Sequence, residues 1–191
     1  TGSLEATGLV DNGGVIRLRA SHAISNTGTI TANAAPGSAG QGGNITAIAD
    51  LANPESRITV DGNWRALGGE LGGDGGFIET SGSQVAVEAS TQVSTLAPKG
   101  RAGTWLIDPT DFTISSGSGA QTSSGIGATT LQTNLAGGNI SLTTDNASGA
   151  GNGDLIVNAS VAWSANTLTL SAYRHITINA ALNGTGTSAL V

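Results

Sequence analysis

Asp108 and Asp111, with Glu79 and Glu88 upstream, form the group of residues best suited to chemistry. Clustered carboxylates can act as acid, base or calcium ligand, and some proteins use such clusters to cleave acidic polysaccharides. Asp108, however, directly precedes Pro109, and an Asp-Pro step most simply turns a corner. The two histidines, His22 and His175, lie far apart, and neither has a second ligand at metal spacing. The chain has no cysteine, which excludes a thiol nucleophile, a disulfide scaffold and a thiolate metal site. The expectation is no catalysis, no cofactor and no obligatory metal.

Two glycine-rich runs, Gly72-Gly73-Asp74-Gly75-Gly76 and Gly149–Asp154, look like calcium-binding nonapeptide turns. That motif works only in tandem, with each turn supplying ligands to the next, so isolated imperfect copies read as turns. The three tryptophans are the large anchors. Trp64, beside Arg65 in an expected loop, is the candidate ligand contact, since an exposed indole can stack on a sugar ring. Trp105 and Trp163, flanked by strand residues, read as packing groups, and Trp105, Asp108, Pro109 and Trp163 are assigned structural roles. Asn44, Asn139, Asn146, Asn158 and Asn183 each begin an Asn-x-Ser/Thr triplet, which chance mostly explains in a chain so rich in these residues.

What must position these residues is a series of short strands. The chain has 191 residues, 30 of them glycine, with only 10% charged and 3% aromatic. Its apolar bulk comes from Ala, Val, Ile and Leu among Thr, Ser, Asn and Gly, which suits stacked strands and tight turns rather than helices. Glycine pairs precede alternating segments at Gly13-Gly14, Gly42-Gly43, Gly75-Gly76 and Gly137-Gly138. The pairs read as turns in which glycine supplies a positive φ. Strands are expected near Leu9-Val10 and over 15–19, 29–32, 44–49, 57–60, 77–80, 84–88, 92–96, 139–143, 155–158, 167–171 and 176–180. Ile16, Ile45, Ile78, Ile140 and Ile156 are expected to point inward. Recurrence of one such unit predicts an all-β fold, a parallel β-solenoid, in preference to an antiparallel sandwich. The net charge of −6 without a basic patch excludes nucleic acid as a partner, and no apolar run is long enough for a membrane helix.

Three stretches follow: a shaft over 1–115, a flexible loop or linker over 116–128, and a continuing shaft over 129–191. One short helical turn is expected at 129–136, capped by Thr129 or Thr130, with Leu131 and Leu135 on one face and Gly137 ending it. The block Trp105-Leu106-Ile107-Asp108-Pro109 is expected to mark the seam between the two shafts.

Gly76-Phe77-Ile78-Glu79-Thr80-Ser81-Gly82, Gly103-Thr104-Trp105-Leu106-Ile107-Asp108-Pro109 and the run from Leu131 through Gly138-Asn139-Ile140-Ser141-Leu142, Gly153–Asn158, Val161–Ser164 and Leu168–Ala172 carry a resemblance. They resemble filamentous haemagglutinin-type exoproteins, large bacterial adhesins of two-partner secretion. The resemblance implies a right-handed parallel β-helix, secreted or on the bacterial cell surface, with an outer-membrane transporter as export partner. The Asn-Pro-Asn motifs of that family's secretion domain are absent, the one Asn-Pro being Asn53-Pro54 before Glu55, so the chain reads as an internal shaft segment.

The expected function is therefore structural: a shaft supporting adhesion, biofilm or matrix contacts. Host or matrix glycans are candidate partners, and open strand edges would allow end-to-end self-association into fibres. The alternative is a carbohydrate-binding or polysaccharide-degrading β-helix module. Scattered acidic residues, mostly in turns, favour the shaft.

Overall fold

The computed structural model describes residues 2–6 and 12–191, so the strand expected at Leu9-Val10 lies outside the described residues. Short alternating segments separated by glycine and Asx turns form no hairpins among the described residues, because successive strands join different sheets or, in one case, pair in parallel. Among the described residues the result is a mostly β fold with parallel sheets and one short helix.

The chain opens with β1 (Ser3–Glu5). It continues through β2 (Val15–Ala20), β3 (Ala23–Asn26) and β4 (Thr29–Thr31). The same three-strand order recurs as β5 (Asn44–Ala49), β6 (Arg57–Val60) and β7 (Asn63–Arg65), and again as β8 (Phe77–Ser81), β9 (Gln84–Val87) and β10 (Gln92–Ser94). An enlarged tier holds β11 (Thr104–Asp108), β12 (Phe112–Ser115), β13 (Gly125–Gly127) and helix α1 (Ala128–Leu135). Then come β14 (Asn139–Thr143), β15 (Asp154–Val157) and β16 (Val161–Trp163), followed by β17 (Thr167–Ser171), β18 (His175–Ile178), β19 (Leu182–Gly184) and β20 (Ala189–Leu190).

Strands of successive tiers pair in parallel. The first sheet runs β2-β5-β8-β11-β14-β17-β20 and the second β3-β6-β9-β13-β12-β15-β18. The third is divided into β1-β4-β7-β10 and β16-β19. Helix α1 takes a strand's place at the division, packing on β10 on one side and β16 on the other.

Pairing in register stacks like on like. In the first sheet Ile16, Ile45, Ile78, Trp105, Ile140, Leu168 and Leu190 form one ladder. All but Leu190 are buried, and the inward-facing residues of the three sheets join one apolar core. Parallel sheets require such cover, which is why the inner positions are almost entirely apolar. The expected inward Ile156 is a correction. β15 begins at Asp154, so Leu155 and Val157 face inward against Phe112 and Ile114, and Ile156 faces out. A one-residue change of phase exchanges the faces of a strand.

At the fourth pair Gly138 has the expected positive φ, 152°, but the other three pairs have a different cause. Gly13, Gly42, Gly43, Gly75, Gly76 and Gly103 are not among the glycines with positive φ. A Cβ on Gly43 would lie 2.0 Å from the Gly14 carbonyl oxygen, and one on Gly76 would lie 2.0 Å from that of Gly43. Successive tiers therefore touch backbone to backbone at this corner, and any side chain would separate them.

Residues 116–128 are not simply a linker. They contribute β13, which inserts between β9 and β12. Gly125 and Gly127 are buried, and a Cβ on Gly127 would meet the Ser118 carbonyl carbon at 2.3 Å, so the returning loop lies directly on the strand. The first sheet continues across this region through the β11–β14 pairing. The irregularity thus falls at β13 and α1, not at Trp105–Pro109, where β11 is a regular strand paired on both sides. α1 starts at Ala128 after Gly127, with no side-chain cap from Thr129 or Thr130. Its Leu131 and Leu135 are fully buried, and Gly137 N–H donates to Asn134 C=O.

Candidate functional site

The tryptophans are interior groups. Trp64, expected in a loop and exposed, sits in β7 with 0% exposure, stacked between Ile30 and Val93, and its Nε1–H donates to the Asp61 carbonyl at 3.0 Å. Its polar neighbours Asn63 and Arg65 alternate outward, which made a three-residue strand look like a loop. With no exposed ring face it cannot stack on a sugar. Trp105 is buried in the first-sheet ladder, where its Nε1–H donates to Thr80 Oγ1 at 3.1 Å. Trp163 is buried in β16, with its Nε1–H on the carbonyl of Asn166, a residue with φ of 66°.

The candidate carboxylates divide. Asp108 ends β11 on the outer face of the first sheet, half-buried, and pairs in register with Ser81. Glu79 of β8 and Asp145, beyond β14, face it electrostatically. Burial first, and then the charges of Asp145 and Glu79, push the Asp108 carboxyl up from 3.8 to about 6. Its Oδ1 is sealed from water and has no hydrogen-bond partner, as is Asn146 Oδ1. Ser81 Oγ–H donates to Glu79 Oε1 at 2.9 Å. Asp111 serves instead as a brace. Its carboxylate accepts the backbone N–H of Asn152 and of Asp154, pinning the glycine-rich loop before β15. Glu88 lies near Gly119, over the second sheet. Pro109 is buried immediately after β11 and its carbonyl accepts the Asp145 N–H at 3.1 Å.

The remaining candidates are engaged in tier-to-tier contacts. Asp74 accepts Arg101 N–H at 2.8 Å and pairs with its guanidinium, and those bonds hold its carboxyl below the usual range. Asp154 is lowered likewise, chiefly by the Arg174 guanidinium, with His175 Nδ1 3.4 Å away. His22 and His175 are both exposed. Among the described residues no three His, Cys, Asp or Glu side chains are grouped to hold a metal. The Asn139 amide bridges tiers, accepting from Thr167 N–H and donating to the Gly103 carbonyl.

One cavity was not legible in the sequence. The excursions after β4, β7 and β10 lie side by side and enclose ≈ 500 Å³ between Asn33, Pro36, Leu67, Glu70, Leu96 and Pro98. Asn33 Oδ1 accepts the Leu67 N–H at 2.9 Å, so the groove is stitched across tiers. Its residues are separated by a whole tier in sequence, and only stacking brings them together. No family model, no characterised protein and no solved structure matches this chain.

Proposed function

We propose that the chain is a stretch of right-handed parallel β-helix forming part of the shaft of a secreted or surface-exposed bacterial adhesin. The observation that carries this reading is the first-sheet ladder, continuous and in register from Ile16 to Leu190. A ladder of that kind makes stiffness along one axis, the property a shaft needs. The right-handed sense rests on the strong preference of crossovers between parallel strands. The resemblance of the Gly76–Gly82 and Gly103–Pro109 segments to filamentous haemagglutinin-type exoproteins supports export through an outer-membrane transporter and contact with host or matrix glycans elsewhere in the parent protein.

Pulling the chain from its two ends tests the shaft. The expected record is a series of resisted steps, each releasing roughly one tier of about 30 residues, or about 100 Å of chain. Extension without measurable resistance overturns the reading. Antibody against the chain should also label intact cells of the source bacterium. A second reading, a carbohydrate-binding or polysaccharide-degrading module, is favoured by the ≈ 500 Å³ groove. A glycan retained by the chain and lost on Leu67→Asp would select it.

A further inference from the structure

We propose that the Asp108–Pro109 peptide bond is a self-cleavage site, hydrolysed through the Asp108 side chain without a protease. It is the only Asp-Pro step in the chain. Four observations converge on it. The amide nitrogen belongs to proline, so it carries no N–H and is a more basic leaving group than an ordinary peptide nitrogen. Asp108 Oδ1 has no hydrogen-bond partner, so nothing holds it away from reaction. The Asp108 carbonyl oxygen, where charge would develop, accepts the Gly82 N–H at 3.3 Å. The leaving side is anchored, with the Pro109 carbonyl on Asp145 N–H and Thr110 N–H on the Ser83 carbonyl at 3.2 Å. Glu79 from β8 and Asp145 from beyond β14 are the charged groups facing the carboxyl, and both favour its neutral form.

The chemistry balances with one water. The Asp108 carboxyl oxygen attacks its own carbonyl carbon, closing a five-membered ring, and the carboxyl proton passes to the Pro109 nitrogen. The C–N bond breaks, releasing Pro109 as a secondary amine and leaving a cyclic anhydride at Asp108. Water then opens the anhydride to two carboxyl groups. Asp108 is half-buried as a whole, so water reaches part of the residue although its Oδ1 is sealed. No electrons are transferred. Because the neutral carboxyl supplies both nucleophile and proton, the rate follows its protonated fraction. With the carboxyl at about 6 in the fold and 3.8 outside it, that fraction at about pH 5.5 is about 40-fold larger in the folded chain. At about pH 3 the two fractions are nearly equal. Both fragments should stay in place, since β11 is held between β8 and β14, and β12 between β13 and β15.

The test is prolonged incubation of the full chain, folded and in urea, at about pH 3, 5.5 and 7.5, followed by mass measurement. The expected result is one cut, giving 1–108 and 109–191, about 40-fold faster folded than in urea at about pH 5.5. That advantage should vanish at about pH 3. Asp108→Asn should abolish the cut, and the nicked wild type should elute as one particle yet run as two bands in denaturant. An intact mass throughout, a cut equally fast in urea at about pH 5.5, or a cut that persists in Asp108→Asn overturns the proposal. The folded-against-urea comparison uses only the wild type, so it decides the matter even where the variant fails to fold.

Discussion

Replacing Gly76 by alanine isolates the backbone-to-backbone corner from every other role of glycine. The added methyl would sit 2.0 Å from the Gly43 carbonyl oxygen and 2.7 Å from the Gly42 carbonyl carbon, where ordinary contact begins at 3.4 Å. The obstacle is backbone, not a flexible side chain, so the tiers must part by more than an ångström. Separation strains the bonds flanking the corner, Phe77 N–H to Gly43 C=O at 3.0 Å and Gly76 N–H to Ala66 C=O at 2.7 Å. Overpacking of this kind costs about 1–3 kcal/mol. Weakening the two hydrogen bonds adds about 1 kcal/mol each, for a total of about 3–5 kcal/mol. Gly37→Ala is the matched control. Gly37 has φ of 67°, but nothing lies within 4 Å of its added Cβ, so only left-handed strain applies, about 1–2 kcal/mol. Urea unfolding with a shared slope measures both. If Gly76→Ala is no more destabilised than Gly37→Ala, the close-approach explanation of the glycine pairs fails.

Trp105→Ala should cost about 3–5 kcal/mol in the same assay, because the buried indole fills the ladder between Ile78 and Ile140. Thr80→Val should cost about 1–3 kcal/mol by leaving Trp105 Nε1–H unpaired. Leu135→Ala should cost about 2–5 kcal/mol, since α1 is held by its buried face. Asp108 carries a pH signature. Its folded carboxyl is raised to about 6, so protonation favours the fold: that stability is fully present below about 4 and is lost as pH rises through about 6. Asp108→Asn should therefore match the wild type near pH 4 and exceed it by about 1 kcal/mol near pH 8, after allowance for the solvent that still reaches the group. A variant gain at acid pH instead would reverse the sign and refute the assignment.

The longer strands were legible because alternation over several residues is visible in one dimension. Asn44–Ala49, Arg57–Val60, Asn139–Thr143 and Thr167–Ser171 have the expected bounds. Of the third-sheet strands, β4 and β10 fall within expected segments but β1, β7 and β19 do not, since three residues with at most one inward side chain carry little period. Trp64 was misplaced for that reason. The recurrence of the glycine pairs was readable, but its cause was not: a carbonyl one tier away leaves no trace in the local sequence. The same holds for Asp108, whose neighbours Glu79 and Asp145 come from the tiers on either side. β13 was hidden in a Ser/Gly stretch because Gly125 and Gly127 are dictated by the loop lying on them.

The substitution of a helix for one strand has a mechanical corollary. Two sides of the stack carry unbroken hydrogen-bond ladders past the enlarged tier, whereas the third side is joined there by packing of α1 against β10 and β16 and by isolated hydrogen bonds, such as Val93 N–H to Asn134 Oδ1 and Ala162 N–H to Gln132 Oε1, rather than by a backbone ladder. Packing with a few side-chain hydrogen bonds yields to small displacements more readily than a ladder, whose backbone bonds fix spacing tier by tier. A load applied sideways should therefore be taken up as a slight bend about the two laddered sides, opening or closing at α1. The third side is the compliant one, and its Leu131 and Leu135 are the residues that would set how far it gives.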